Sequence, residues 1–131
     1  MIGIVIVAHG GLAKEYLAAV EHVIGKQEGI RAISIAAECD REAKQKEICD
    51  AADNVDQGDG VIVVVDMFGS SPSNLSMSAC NCAERKILYG ANLPMLVKLA
   101  GSREMSIVKA VEVSLQAGKK YMNTCSGNPT A

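Results

Sequence analysis

The stretch VIVVVDMFGSSPSN, from Val61 to Asn74, constrains this chain more than any other. Val61–Val65 is apolar throughout, mostly β-branched, and too short to make a helix of its own. With no polar face, it reads as a central strand buried on both sides. Asp66 ends the run, a loop of small residues follows through Gly69, Ser70 and Ser71, and a helical pattern resumes at Ser73 or Asn74. In an α/β domain this order sets a carboxylate at the carboxyl edge of the sheet. The loop and helix start then offer backbone N–H groups to an anion. The alternative is an ordinary strand-to-helix turn in which the aspartate is only a cap.

The first ten residues, MIGIVIVAHG, form a second β-branched run that delivers His9 and Gly10 at its end. Two buried parallel strands, one ending in His and one in Asp, can bring those side chains to the same edge. A carboxylate beside an imidazole fixes which ring nitrogen carries the proton and leaves the other free as a nucleophile. The competing reading is a histidine that is structural or incidental.

After Gly11 the spacing turns helical, with Leu12, Tyr16, Val20, Val23 and Ile24 on one stripe and Gly25 as the stop. This first helix starts directly behind His9, where its amides and dipole favour a negative group. His22 reads as an ordinary helical residue. Ile30 to Ala36 reads as a strand nearer an edge, and Asp40 as the cap of a helix running to about Val55 with Ile48, Ala52 and Val55 inward. Arg41, Glu42, Lys44, Lys46 and Glu47 read as that helix's solvated face. Gly58-Asp59-Gly60 is a turn into the Val61 strand. A third helix is expected through Leu75, Ala79, Cys82 and Ala83, then a strand over Ile87 to Asn92 and a short helical stretch over Met95 to Leu99. A longer helix is expected to open at Ser102 with Met105 and to close at Gly118, with Lys119 to Thr124 as a last strand.

This alternation predicts a doubly wound, mainly parallel sheet flanked by helices. In the flavodoxin-like order 2-1-3-4, the strands ending in His9 and Asp66 are neighbours at the topological switch point, where ligands bind. The 131 residues read as a single domain, 1–131, able to bury a core without staples. A net charge of −2 and 3% aromatic residues argue against a nucleic-acid or anionic-membrane partner. The longest apolar runs fall short of a membrane span, so no insertion is expected. The odd count of five cysteines, and a Met1 that leads straight into a strand, fit reduced thiols in a cytoplasmic protein. Most of those cysteines are expected to act as small buried hydrophobes. Cys80 and Cys82 point to different sides of a helix, so no metal site is expected there.

Three segments together carry a resemblance: the His9-Gly10-x-Leu12-Ala13 end of the first strand, DMFGSSPSN from Asp66, and ANLPMLVKL from Ala91. In this order and spacing they resemble the mannose-type (mannose/fructose/sorbose) IIA component of the bacterial phosphoenolpyruvate:sugar phosphotransferase system, over essentially the whole chain. The resemblance implies a phosphoryl relay. The histidine matching His9 takes a phosphoryl group from the histidine phosphocarrier protein and passes it to a IIB component. The residue matching Asp66 hydrogen-bonds the imidazole, and the one matching Ser71 helps hold the phosphoryl group. It also implies a homodimer with the C-terminal strand exchanged between subunits. Two positions depart from the family pattern: Ser70 stands where a second glycine is common, and Ala8 where Thr or Ser is common.

On this reading His9 and Asp66 are catalytic, and Gly10, Gly11, Gly69, Ser70 and Ser71 bind phosphate. Met67 and Phe68 form a partner-docking rim, or equally part of the core. Helix termini and amides supply the positive potential, so no cofactor or metal is expected. The alternatives are a regulatory module whose phosphorylation state is read by another protein, and a phosphoryl donor to a dihydroxyacetone kinase. A flavin-binding module is disfavoured by the shortage of aromatic residues. A receiver domain phosphorylated on Asp66 is disfavoured because His9 and Gly10 stand where extra carboxylates would be wanted.

Overall fold

A four-stranded parallel sheet in the order β2-β1-β3-β4 carries the molecule. The computed structural model describes residues 1–81 and 84–127. The elements run β1 (Gly3–His9), α1 (Leu12–Ile24), β2 (Ile30–Ile35), α2 (Arg41–Val55), β3 (Val61–Val65), α3 (Ser71–Ser76), β4 (Arg85–Tyr89), α4 (Leu93–Ala100) and α5 (Ile107–Lys120). A 3₁₀ turn, Met77–Cys80, extends α3.

The two central strands are buried on both faces, and their residues divide between two cores with the period of two that a strand imposes. Ile4, Ile6 and Ala8 of β1 and Ile62 and Val64 of β3 pack with residues of α1, α4 and α5. Val5, Val7, Val61, Val63 and Val65 pack on the other face with Ile48, Ala52 and Val55 of α2 and Leu75 of α3. Each fully buried aliphatic side chain contributes about 1.5–3 kcal/mol relative to exposure. Such a core fixes the register, because a slip of one residue would exchange the two faces. Val7 pairs with Val65, and His9 with Ile35, so His9 and Asp66 emerge side by side at the carboxyl edge.

Several boundaries differ from the sequence reading. The inward residues of α1 are Ala13 and Val20, with Tyr16 and Leu17 packed against the core, while Leu12, Val23 and Ile24 are exposed. The small Ala13 lets the helix lie close to β1 directly after the turn. The third helix starts at Ser71, with Pro72 in its first turn, where a missing N–H costs nothing. Cys82 and Ala83 lie outside the described residues. β4 covers Arg85–Tyr89, three residues earlier at its end than expected. Ser106, not Ser102, caps α5, its side chain accepting from Lys109 N–H.

Gly118 does not close that helix. It is buried within it, and a Cβ there would stand 3.2 Å from Met95 Cβ. Lys119 and Lys120 therefore complete α5, at the end where cations suit the helix dipole. The expected strand over Lys119 to Thr124 is not formed: residues 122–127 pair with no strand edge in the single chain. Cys39, Cys49 and Cys80 are only half-buried and Cys125 is exposed, so none of the four is a fully buried hydrophobe.

Arg103 is a structural residue that the sequence reading passed over. It is buried, and its guanidinium donates to the carbonyls of Ile2, Glu28 and Gly29 at 2.8, 2.6 and 3.0 Å. It thereby ties the start of β1 to the approach to β2.

Candidate functional site

The two side chains that end the central strands are in contact. His9 Nδ1 lies 2.7 Å from Asp66 Oδ2, and the His9 backbone N–H donates to the same oxygen at 3.0 Å. Asp66 Oδ1 accepts the Met67 N–H at 3.0 Å. Burial raises the Asp66 pKa. The hydrogen bonds from the His9 backbone and ring, the charge of His9 and the Met67 N–H outweigh it, so the carboxyl is held below its ordinary value. An ionised carboxylate only accepts, so Nδ1 carries the proton of this bond. In the neutral ring the lone pair is then on Nε2, on the far side from Asp66. The His9 side chain is 47% exposed and that of Asp66 only 10%: the carboxylate is sheltered and the imidazole is open to solvent.

The glycines around His9 shape the turn more than they offer donors. Gly10 has φ +55° and Gly69 φ +82°, a region that disfavours residues with a Cβ. Their N–H groups are already engaged, Gly10 with Ile35 O at 3.0 Å and Gly69 with Ser73 Oγ at 3.3 Å. The Ser70 hydroxyl donates to Met67 O at 2.7 Å, and the Ser70 carbonyl accepts from Asn74 N–H. Ser71 occupies the first position of α3. Gly11 is the N-cap of α1, with no side chain to satisfy the first amides. His9, Gly10 and Ser71 line one cavity of about 380 Å³, together with Ile35, Cys39 and Arg41. Arg41 is exposed, as expected of a solvated helix face, and it also borders this cavity.

Met67 and Phe68 are exposed, as a rim requires and a core does not. Phe68 stacks on Tyr89, with ring centroids 4.8 Å apart. Tyr89 was missed because the sequence reading carried β4 past it. It is the last residue of that strand and so reaches the same sheet edge as Asp66. Among the described residues, no three His, Cys, Asp or Glu side chains converge as a metal site. No helix among them is long and apolar enough to cross a membrane.

A doubly wound α/β domain with an exposed imidazole paired to a carboxylate at its switch point defines a class by fold and site: α/β domains that present a carboxylate-oriented histidine at the surface. The particular family follows from comparison, since residues 3–115 match the family described as "PTS system fructose IIA component", and the chain belongs to that family of mannose-type IIA components. It is 27% identical over 131 residues to the "PTS system mannose-specific EIIAB component" of Escherichia coli K12, covering 98% of this chain and 41% of that protein. The chain thus spans about two fifths of the length of these curated relatives. It is 31% identical over 108 residues to the "Putative phosphotransferase enzyme IIA component YadI" of Escherichia coli K12, covering 79% of this chain and 72% of that one.

Among solved structures, phosphotransferase system component EIIA from Streptococcus agalactiae superposes with a TM-score of 0.79 at 25% identity, over 95% of this chain and 97% of that one. The mannose/sorbose-specific IIA subunit from Enterococcus faecalis gives 0.85 at 22% identity, over 95% and 94%, and supports the fold.

Proposed function

We propose that this chain is a cytoplasmic phosphoryl relay of a sugar phosphotransferase system. His9 accepts a phosphoryl group from the histidine phosphocarrier protein and hands it to a IIB component. The observation that carries this is the 2.7 Å contact between His9 Nδ1 and Asp66, which commits one ring nitrogen and leaves Nε2 outward on an exposed side chain. Family membership supports the same reading.

In the transfer, the Nε2 lone pair attacks phosphorus in line. The new N–P bond forms as the donor's N–P bond breaks, and that electron pair returns to the donor's imidazole. The His9 ring keeps its Nδ1 proton and gains positive charge, which the Asp66 carboxylate offsets across the hydrogen bond. Phosphoryl transfer asks for positioning and charge stabilisation more than for covalent help from other groups. Ser71 and the N–H groups of Gly11, Ser70 and Ser71 are the donors to the phosphoryl oxygens. Gly10 and Gly69 hold the two turns in the shape this needs. The exposed Met67, Phe68 and Tyr89 form the apolar rim on which both partners dock. The working form is a homodimer in which the segment after α5 crosses to a second copy.

The test is intact mass after incubation with phosphoenolpyruvate, the first phosphotransferase enzyme and the phosphocarrier. Wild type gains about 80 Da in an acid-labile form, and His9→Ala gains nothing. An unchanged wild-type mass would remove the relay reading.

A further inference from the structure

Arg41 differs from the other arginines of the chain. Arg31 donates to Asn54, Arg85 is ion-paired with Asp53 and Asp56, and Arg103 is enclosed by backbone carbonyls. Among the described residues Arg41 belongs to no ion pair. The adjacent Asp40 is engaged elsewhere, its Oδ1 accepting from Ala43 N–H to cap α2 at 3.2 Å. The one polar contact of the Arg41 guanidinium is long: Nη1 to Ser71 Oγ at 3.5 Å.

That contact points the side chain across the gap between the β2–α2 connection and the start of α3, into the cavity of about 380 Å³ that His9 also lines. No Asp or Glu lines this cavity. The arrangement is therefore a histidine nucleophile and a guanidinium outside any ion pair sharing one space that no carboxylate lines, with Ser71 also in the lining. A guanidinium is a planar fork of donors that matches phosphate oxygens two at a time, and it stays charged at any working pH. A phosphoryl group in flight spreads its negative charge over three equatorial oxygens, and a fixed cation beside them stabilises that state.

We infer that Arg41 is a further catalytic residue of this site, its guanidinium binding the oxygens of the phosphoryl group as it moves onto and off Nε2 of His9. The inference rests on the relay reading of His9. Arg41 forms and breaks no covalent bond; it supplies charge and two N–H donors. Ser71 Oγ accepts from Arg41 through a lone pair, and its O–H remains to donate to the same group.

The experiment is the rate of His9 phosphorylation by the phosphorylated carrier, measured over a range of carrier concentrations for wild type, Arg41→Lys and Arg41→Gln. Far-UV circular dichroism would verify that each variant folds, and Arg41 is exposed at the first turn of α2, where both substitutions fit. The expected result is a kcat lower by about 10- to 100-fold in Arg41→Gln with KM within twofold, and a smaller loss in Arg41→Lys, which keeps the charge but not the fork. A raised KM with unchanged kcat would make Arg41 a docking residue and overturn the inference. So would rates equal to wild type in both variants, with the relay reading left standing. Failure of wild type to accept phosphate would take down both.

Discussion

Asp66 is the residue whose protonation matters most. Its folded-state pKa lies below the ordinary carboxylate value, because the His9 and Met67 hydrogen bonds outweigh the opposing effect of burial. The stabilisation this brings is fully present above the unfolded pKa of about 3.9 and is lost as pH falls through the lower folded value. Asp66→Asn keeps the shape but not the charge, and its NH₂ faces the Met67 N–H, donor against donor. The stability deficit of this variant, measured by urea unfolding, is expected to be constant above about pH 5 and to shrink below about pH 4. At neutral pH the same variant should phosphorylate about 10- to 100-fold more slowly, as loss of a charge-assisted hydrogen bond implies. The pair itself was legible in the sequence, because two all-apolar strands ending in His and Asp have few other places to put them. Arg41 and Tyr89 were not. Arg41 sits in a run of charges whose helical spacing looks solvated; it is exposed, and only the path of the β2–α2 connection brings it to the rim of the cavity that His9 lines. Tyr89 depends on where β4 stops.

Asn92 links the two C-terminal helices. Its Oδ1 accepts from Met95 N–H at 3.0 Å and caps α4, while its Nδ2 donates to Gly118 O in α5 at 2.9 Å. Gly118 also lets the two helices pack closely here, since a Cβ would lie 3.2 Å from Met95 Cβ, tighter than an ordinary contact. Asn92→Ala removes the cap and leaves a helix carbonyl without its donor. It should cost about 1–2 kcal/mol in denaturant unfolding, with little effect on phosphorylation because the side-chain contacts it removes lie within α4 and α5 and not with His9. The same contacts explain why helix ends were read less well than strands. Gly118 carries the signal of a stop, and only tertiary packing converts it into a helix interior. Asp40, whose cap needs only its own neighbours, was placed correctly from sequence.

At the scale of the molecule, the open sheet ends in β2 on one side and in β4 on the other, and the outer edge of β4 is unpaired among the described strands. Ile87, Leu88 and Tyr89 of that strand open onto an apolar cavity of about 410 Å³, roofed by Val111 and Leu115 of α5 and by Met122. An open edge beside apolar side chains is a surface that pairs with another strand, either specifically or as aggregate. The chain carries a candidate for that role directly after α5, where Tyr121 and Met122 are exposed and have no strand partner among the described residues. Two copies exchanging this segment would cover both β4 edges at once with two-fold symmetry, and neither β4 edge would be left to recruit a third copy. The full chain is therefore expected to sediment as a dimer at micromolar concentration, and a chain ending at Lys120 as a monomer. His9 lies at the carboxyl edge and not on the β4 flank, so the shortened chain should still accept a phosphoryl group if it stays folded. Its open edge should instead appear as aggregation on storage or a lower unfolding temperature. A shortened chain that remained dimeric would place the contact between copies elsewhere, with the exposed groove of Val23, Val97 and Tyr121 as the next surface to test.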